Sequence, residues 1–382
     1  MVKPSGSTII NNPLYSYNFT NDDYRDNYFD GLPQEPYAQT LRQPEDDPPV
    51  SRNDLVSNAL ASTFPARKLS TFQLYSIENL SRFSAARYPG VSPPNSWASV
   101  EMIHNNIHGT VGGDKGHMRS PLVAAFDPIF WLHHAQVSTW VPHISPITNT
   151  NPAKVDRLTA IYQAIFPSST VEPLVRTQPN LGYPEQGGIE DIDTLLYPFR
   201  HADGKEWTSR DVSSAESIHK YGYSYPEVPS GLSKEKLTAF ASKEMQKLYA
   251  PDTDTDNFHK SPGGASVRTE WLAHVKYDQN QIAGTFNIMM YIGDVPSAPE
   301  GRVAVDTLVG TCTSFSGPQK LEYNSTIAGT VPLTPALVNK NLKPANRKEI
   351  VEYLRRNLHW KIMRVCSTVP YTSPQNTDMH DY

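Results

Sequence analysis

The histidines of this chain are unevenly distributed, and their distribution limits the folds that the chain can adopt. The chain has 382 residues and 12 histidines, and the first of these is His104. Five of the histidines then fall between positions 104 and 134. Imidazoles are the commonest metal ligands in proteins. A group of this kind therefore predicts a fold that brings separate segments to one metal ion.

Two of these histidines lie on one predicted helix. The segment SVEMIHNNIH predicts a helix over about 97–108. Each residue of an α-helix turns by about 100°, so Glu101, His104, Asn105 and His108 share one face. Histidines four residues apart can point two imidazoles at one ion, as they do in zinc-binding HExxH helices.

The third ligand must come from another element, and the next predicted helix, IFWLHHA, offers His133 and His134. Three neutral nitrogens leave one coordination position open, which is typical of catalytic rather than structural metal sites. Glu101 lies one turn before the first ligand, where a general base is useful. The alternative is that His104 and His108 are two partly exposed histidines that bind no metal, and their spacing alone does not decide between the two possibilities.

The composition of the chain excludes several classes of function. The net charge of −5 leaves no basic excess, so we expect no nucleic-acid partner. No apolar run approaches the roughly 18 residues of a membrane span, and the first residues lack the hydrophobic stretch of a secretion signal. Two cysteines, Cys312 and Cys366, make no disulfide framework. These features predict a cytoplasmic protein without a membrane span.

The chain divides into two regions of different periodicity. Helical spacing and loops dominate up to about residue 230, which predicts a helical metal-binding domain over 1–230. Short runs with period-2 alternation follow, including WLAHVKY, GTFNIMMYIG and LHWKIMRV, and predict a β-sandwich domain over 231–382. The predicted fold class is therefore α+β.

The motifs around the histidines resemble the second-copper half of fungal tyrosinases and related type-3 copper proteins. HNNIH, VGG, GHM and AAFDPIFWLHHA carry this resemblance, which extends to NPLYSYNF near the start. GTFNIMMYIGD, GTVPLTPAL and VEYLRRNLHW resemble the β-sandwich that covers the active site of fungal pro-tyrosinases. The resemblance implies that His104, His108 and His134 are the metal ligands and that His133 is a packing or pocket-lining neighbour.

The same resemblance implies roles for four further residues. Glu101 and Asn105 match the family's water-holding pair beside the metal and are predicted to be catalytic. Phe130 matches an aromatic residue near the substrate, and Pro121 falls in the gate region above the site. With His133, these two are predicted to line the substrate pocket.

The chain departs from the tyrosinase pattern at the first copper. Tyrosinases bind dioxygen between two coppers, each held by three histidines, and the first-copper histidines lie upstream of the segment that NPLYSYNF resembles. No histidine precedes His104 here, so we expect a helical core that lacks the N-terminal helix pair of tyrosinases. One ion without its partner does not support the family's oxygen chemistry, which favours zinc, with copper as the alternative.

A family variant without the first metal site is known, and this chain resembles it. Hemocyanin-like cyclopenases of fungal quinolone-alkaloid biosynthesis convert cyclopenin-type benzodiazepinedione epoxides to viridicatin-type quinolines with loss of methyl isocyanate. The resemblance implies a zinc lyase that acts on a small aromatic molecule in fungal secondary metabolism. Two alternatives remain open, namely a truncated copper tyrosinase or phenol oxidase and a non-catalytic metal-binding remnant.

Residues 137–154 are predicted to be an insertion. Family members continue directly from the histidine pair to VDR, whereas VSTWVPHISPITNTNPAK separates HHAQ from VDRLTAIYQAIFP here. Without the insertion, HHAQVDRLTAIYQAIFP reads as one amphipathic helix. Codons for Val-Ser and Thr-Asn can resemble a fungal splice donor and branch site. We therefore hypothesise a retained intron, and the alternative is a genuine surface loop.

Overall fold

The computed structural model describes residues 12–19, 37–45, 48–84, 98–137, 157–169, 173–175, 189–251, 258–260, 266–278, 281–282, 284–296, 306–316 and 326–364. Residues 138–154 of the predicted insertion lie outside these ranges. In the described chain most helices come first and a mainly β region follows, which confirms the predicted α+β class.

The described helices fall into a large N-terminal group and a pair near the C-terminus. They are α1 (Asn53–Ser62), α2 (Phe64–Leu74), α3 (Leu80–Ser84), α4 (Val100–Gly112), α5 (Ile129–Val137), α6 (Arg157–Ile165), α7 (Ser217–Lys220), α8 (Lys234–Tyr249), α9 (Thr334–Asn339) and α10 (Arg347–Asn357). Short 3₁₀ turns cover His117–Arg119, Ala124–Phe126 and Ser209–Val212. None of the described helices is long and apolar enough to cross a membrane.

The strands form small antiparallel sheets. They are β1 (Leu174–Val175), β2 (Ile189–Glu190), β3 (Leu195–Arg200), β4 (Glu206–Thr208), β5 (Phe258–Lys260), β6 (Ser266–Arg268), β7 (Leu272–Asp278), β8 (Phe286–Ile292), β9 (Leu308–Ser314), β10 (Thr326–Pro332) and β11 (Leu358–Arg364). The C-terminal domain contains the sheet β11-β8-β9 and the pair β10-β7. In the first sheet Ile288 lies opposite both Cys312 and Ile362.

Strand β8 is the centre of the C-terminal domain. All of its residues, FNIMMYI, are buried, because β11 and β9 flank it and other elements cover both of its faces. Asn346 is the N-cap of helix α10, because its side chain accepts a hydrogen bond from the Glu349 backbone N–H. Ile350 and Leu354 of this helix are buried in the same core as Ile288.

Helix α8 packs against helix α6 of the helical core. Leu237, Ala241 and Met245 form one apolar stripe on α8 and pack against α6, where they share a core with Ala160 and Ile161. Apolar residues four apart on a helix must be covered, and α6 offers the matching surface. Helix α8 therefore shares a core with helix α6, and the predicted domain boundary at 230/231 stays a prediction.

Helix α4 lies between the helical core and the C-terminal domain. It begins at Val100, three residues later than predicted, because the extended backbone of Ser99 lets its hydroxyl accept a hydrogen bond from the Met102 N–H at 3.2 Å. Met102 is buried in the core of the C-terminal domain. A Cβ atom on Gly109 would lie 2.5 Å from the Asn287 Oδ1 atom of β8. The helix and the sheet are therefore in close contact.

Candidate metal centre

Helix α4 places His104 and His108 side by side. The two residues lie one turn apart on one face, and both are buried. Their Nε2 atoms are 3.1 Å from each other. The spacing in the sequence therefore brings both imidazole nitrogens to one point, as predicted.

Helix α5 brings His134 to the same point. The start of this helix is held by Asp127, which is fully buried and accepts hydrogen bonds from the Arg42 guanidinium and from the Ile129 backbone N–H. The His134 Nε2 atom lies 3.2 Å from that of His104 and 3.3 Å from that of His108. We call these three side chains the metal centre.

The hydrogen bonds of the two α4 histidines leave their Nε2 lone pairs free for a cation. His108 Nδ1 lies 2.6 Å from the Met118 carbonyl oxygen, which can only accept, so Nδ1 carries the proton. His104 Nδ1 donates in the same way to Asn105 Oδ1 at 2.9 Å. The Nε2 atoms of these neutral rings therefore face each other with lone pairs, an arrangement that a cation relieves.

The protonation states agree with this arrangement. Burial lowers the pKa of His104 to about 4, and burial, followed by the neighbouring His104 and His133, lowers the pKa of His108 well below its ordinary value. Both rings are neutral at pH 7, which is the form that binds metal ions. A set of three neutral imidazoles fits zinc and copper equally well. The residues present therefore fit a metal of the kind predicted.

His133 and two phenylalanines surround the metal centre. The His133 ring is stacked on His104, with 5.0 Å between the ring centroids, and the side chain is buried. Phe130 stacks on His134 at 3.9 Å. Phe315, which follows β9 in the C-terminal domain, stacks on His108 at 4.2 Å. Phenylalanine rings from both domains therefore cover the histidine rings of the metal centre.

Phe315 is the residue that sequence reasoning missed. It follows a strand in the C-terminal domain, and no local pattern connects it with histidines on a helix some 200 positions earlier. Its signal exists in the tertiary structure alone, because only there does Phe315, directly after β9, contact His108 of α4.

The other predicted site residues, Glu101, Asn105 and Pro121, lie on helix α4 or in the segment between α4 and α5. Glu101 is half-buried in the first turn of α4, and its carboxylate is not among the groups whose donor atoms lie within 4.8 Å of one another at the metal centre. Asn105 contacts the His104 ring. Pro121 is half-buried in the turn between two 3₁₀ segments. The catalytic and gating roles of these three residues stay predictions.

Among the described residues, the four histidines 104, 108, 133 and 134 are the one group of His, Cys, Asp or Glu with the spacing of a metal site. The later histidine His201 stacks on Trp207 at 3.8 Å and lies 3.4 Å from an Asp211 oxygen. Such contacts are those of a structural histidine.

Two family models match this chain, the common central domain of tyrosinase over residues 2–141 and the tyrosinase C-terminal domain over residues 270–377. The chain is tyrosinase-like. The tyrosinase-like chain is 31% identical to the tyrosinase of Podospora anserina, over 80% of the chain and 62% of that protein. It is 24% identical to the tyrosinase of Neurospora crassa, over 92% of the chain and 65% of that protein.

The fold of the tyrosinase-like chain is similar to that of solved tyrosinases. The structure of recombinant mushroom tyrosinase matches with a TM-score of 0.72 at 22% identity, over 98% of this chain and 66% of that one. The tyrosinase-like chain spans less than two thirds of the length of these relatives.

Proposed function

We propose that this chain is a mononuclear metal-dependent lyase that holds zinc at His104, His108 and His134 and acts on a small aromatic molecule in fungal secondary metabolism. The observation that carries the proposal is the convergence of three imidazoles, whose Nε2 atoms lie 3.1–3.3 Å apart. Three histidines with an open position are the ligand set of catalytic zinc.

The substrate class that we propose is the cyclopenin-type benzodiazepinedione epoxide. Its conversion to a viridicatin-type quinoline contracts a seven-membered ring and releases methyl isocyanate, so no oxidant or reductant is consumed. Zinc, when bound, supplies Lewis acidity that polarises a carbonyl or epoxide oxygen. This substrate class follows from the resemblance to cyclopenases. Because the reaction involves no redox chemistry, a single redox-inactive ion suits it.

The chain's own residues supply positioning and proton transfer. The Met118 carbonyl and the Asn105 side chain orient the rings of His108 and His104 through their Nδ1 atoms. Phe130 and Phe315 provide apolar surface against which an aryl group packs, and they exclude water. Glu101, on the same predicted helix face as the histidines, is proposed to move the proton that the rearrangement requires.

A second candidate is a copper-dependent phenol oxidase. The sequence similarity to phenol-oxidising enzymes favours this candidate. The relatives are tyrosinases in Podospora anserina and Neurospora crassa and a polyphenol oxidase in Agaricus bisporus. The three imidazoles accept copper as readily as zinc. On this candidate a second group of histidines must complete the oxygen site.

Metal content and turnover measured together test the proposal. The purified full chain is loaded with zinc or copper, dialysed and analysed for metal per chain, then assayed with cyclopenin and, separately, with catechol under oxygen. About one zinc per chain with formation of the quinoline supports the lyase. Copper-dependent oxygen uptake with catechol supports the oxidase. Bound metal with neither activity contradicts both and favours a metal-binding remnant.

A further inference from the structure

His133 is the member of the described histidine group that the proposed ligand set does not use. One of its ring nitrogens lies within 4.8 Å of a ring nitrogen of each of His104, His108 and His134. Its ring lies nearly parallel to that of His104, with 16° between the ring planes, and the side chain is buried. A fourth imidazole therefore lies beside the three whose Nε2 atoms converge.

The Nε2 atom of His133 lacks a partner inside the protein. It is buried and forms no hydrogen bond with any described residue. Leaving a buried polar atom without a partner costs about 1–3 kcal/mol, so a further group is expected to bind to it. Because this atom is out of reach of bulk water and its ring adjoins the metal centre, a cation at that centre is the partner that the surroundings offer.

The spacing of the other three nitrogens leaves one corner of a tetrahedron for this ring. Zinc–nitrogen bonds are about 2.0–2.1 Å long, so nitrogens at two tetrahedral corners lie about 3.3–3.4 Å apart. The Nε2 atoms of His104, His108 and His134 are already 3.1–3.3 Å apart. The nitrogen of His133, at most 4.8 Å from each of them, is within about 1.5 Å of the same spacing, which rotation of its side chain can cover.

The surroundings favour His133 over other ligands at this corner. Phe130 stacks on His134 and Phe315 stacks on His108, so apolar rings lie against those two ligands. Among the described residues, no Asp, Glu or Cys belongs to the group whose donor atoms converge here. The His108 ring is fully buried, so bulk water does not reach it.

We propose that His133 is the fourth ligand of the metal centre in the substrate-free chain. The inference rests on the metal binding of the proposed function and not on its reaction. Because the nitrogen of His133 lies farther from the other three than they lie from each other, His133 is the most weakly held ligand. A substrate oxygen takes its place in order to be polarised. His133 therefore keeps water and small anions away from the ion until the substrate enters.

NMR of the full chain, labelled with ¹⁵N-histidine and loaded with ¹¹³Cd in place of zinc, counts the ligands, because only nitrogens bonded to the ion couple to it. We expect four coupled nitrogens in the wild-type chain and three in His133→Phe, which keeps an aromatic ring without a nitrogen. His117→Asn is the matched control, at a buried histidine outside the metal centre whose Nε2 atom also lacks a partner, and should keep four. Three coupled nitrogens in the wild-type chain overturn the proposal, even if His133→Phe does not fold.

Metal affinity gives a second measurement. We expect competition with a chelator to show zinc binding to His133→Phe that is weaker by about tenfold or more, since even the outer partners of metal ligands contribute about 10–100-fold. A smaller loss overturns the proposal. Three coupled nitrogens in the wild-type chain leave the proposed function standing and remove only the role of His133. No coupled nitrogen in the wild-type chain contradicts both.

Discussion

The ring of Phe315 lies nearly parallel to the imidazole of His108, with 24° between the ring planes and 4.2 Å between the centroids. His108 belongs to the helical core, and Phe315 follows the last residue of β9 in the C-terminal domain. The C-terminal domain therefore contacts a predicted metal ligand directly. Removing this contact affects the stability of the domain interface and the surface offered to an aromatic substrate.

Phe315→Ala tests the role of this stacked pair. We expect the free energy of unfolding to fall by about 2 kcal/mol, roughly half the cost of a fully buried Phe→Ala change, because Phe315 is half-buried. On the proposed function, KM for the aromatic substrate rises by up to about tenfold, since an aromatic pair contributes about 0.5–1.5 kcal/mol. Urea unfolding and steady-state kinetics measure both. Phe64→Ala, at a position 56% exposed, is the control. An unchanged KM would exclude Phe315 from the substrate surface.

Gly109→Ala tests how closely α4 rests on the C-terminal sheet. The new Cβ atom would lie 2.5 Å from Asn287 Oδ1 and 2.8 Å from Thr313 Oγ1. Ala is favoured over Gly in a helix by about 1 kcal/mol, whereas overpacking costs about 1–3 kcal/mol, so we expect net destabilisation and weaker metal binding. Unfolding and chelator competition measure the two effects. Adding Thr313→Ala frees the Asn287 side chain to move and should recover part of the loss. A more stable Gly109→Ala variant contradicts this packing.

His108→Ala tests the metal centre itself. We expect loss of tight metal binding and of turnover, because two remaining imidazoles hold zinc poorly. Metal analysis after dialysis, with circular dichroism to verify folding, is the measurement. His274→Ala removes an exposed histidine of β7 and should keep the full metal content. Prolonged treatment of the wild-type chain with a chelator should reproduce the inactive state, and readdition of zinc should reverse it. Full metal content in His108→Ala would remove this residue from the site.

Glu101→Gln tests the predicted proton-transfer group. The change keeps the shape of the side chain but removes its basicity, so we expect the metal content to stay the same and kcat to fall by about 10²–10⁴-fold. Kinetics with metal analysis separate the two effects. Glu352→Gln, at an exposed position of α10, is the control and should leave kcat unchanged. A normal kcat would reduce Glu101 to a structural carboxylate of α4.

We expect protonation of His117 to lower the free energy of unfolding in acid. Burial lowers its pKa from 6.5 to about 4, and its Nδ1 atom accepts a hydrogen bond from the Leu41 N–H at 3.0 Å. Between these pH values the unfolded chain binds more protons, so the stability present above pH 6.5 is lost as the pH falls toward 4. The loss from this residue is about 3 kcal/mol.

His117→Asn isolates this effect, because the Asn side chain offers an acceptor to Leu41 that does not titrate. Urea unfolding of both metal-free proteins at pH 7 and pH 4.5 measures the difference. We expect the wild-type chain to lose more stability than the variant over this interval. Parallel losses would show that His117 is not the titrating group.

Several parts of the fold follow from local sequence. The pairing of His104 with His108 depends on helix periodicity, and the N-cap hydrogen bond from the Glu349 N–H to the Asn346 side chain joins residues three apart. Alternation in LHWKIMRV likewise predicts β11. The amphipathic stripe of α8 indicates that this helix needs a packing partner, but it does not indicate which core provides that partner.

The sequence alone specifies which residues share the histidine-bearing face of α4, since a helix sets that face within two turns. It also supplied, through motif resemblance, the choice of His134. The contacts of Phe315 with His108 and of His133 with His104 arise from the packing of distant elements. These contacts join residues that are distant in the chain. Their formation depends on how whole elements pack against each other, and local sequence patterns do not encode that packing.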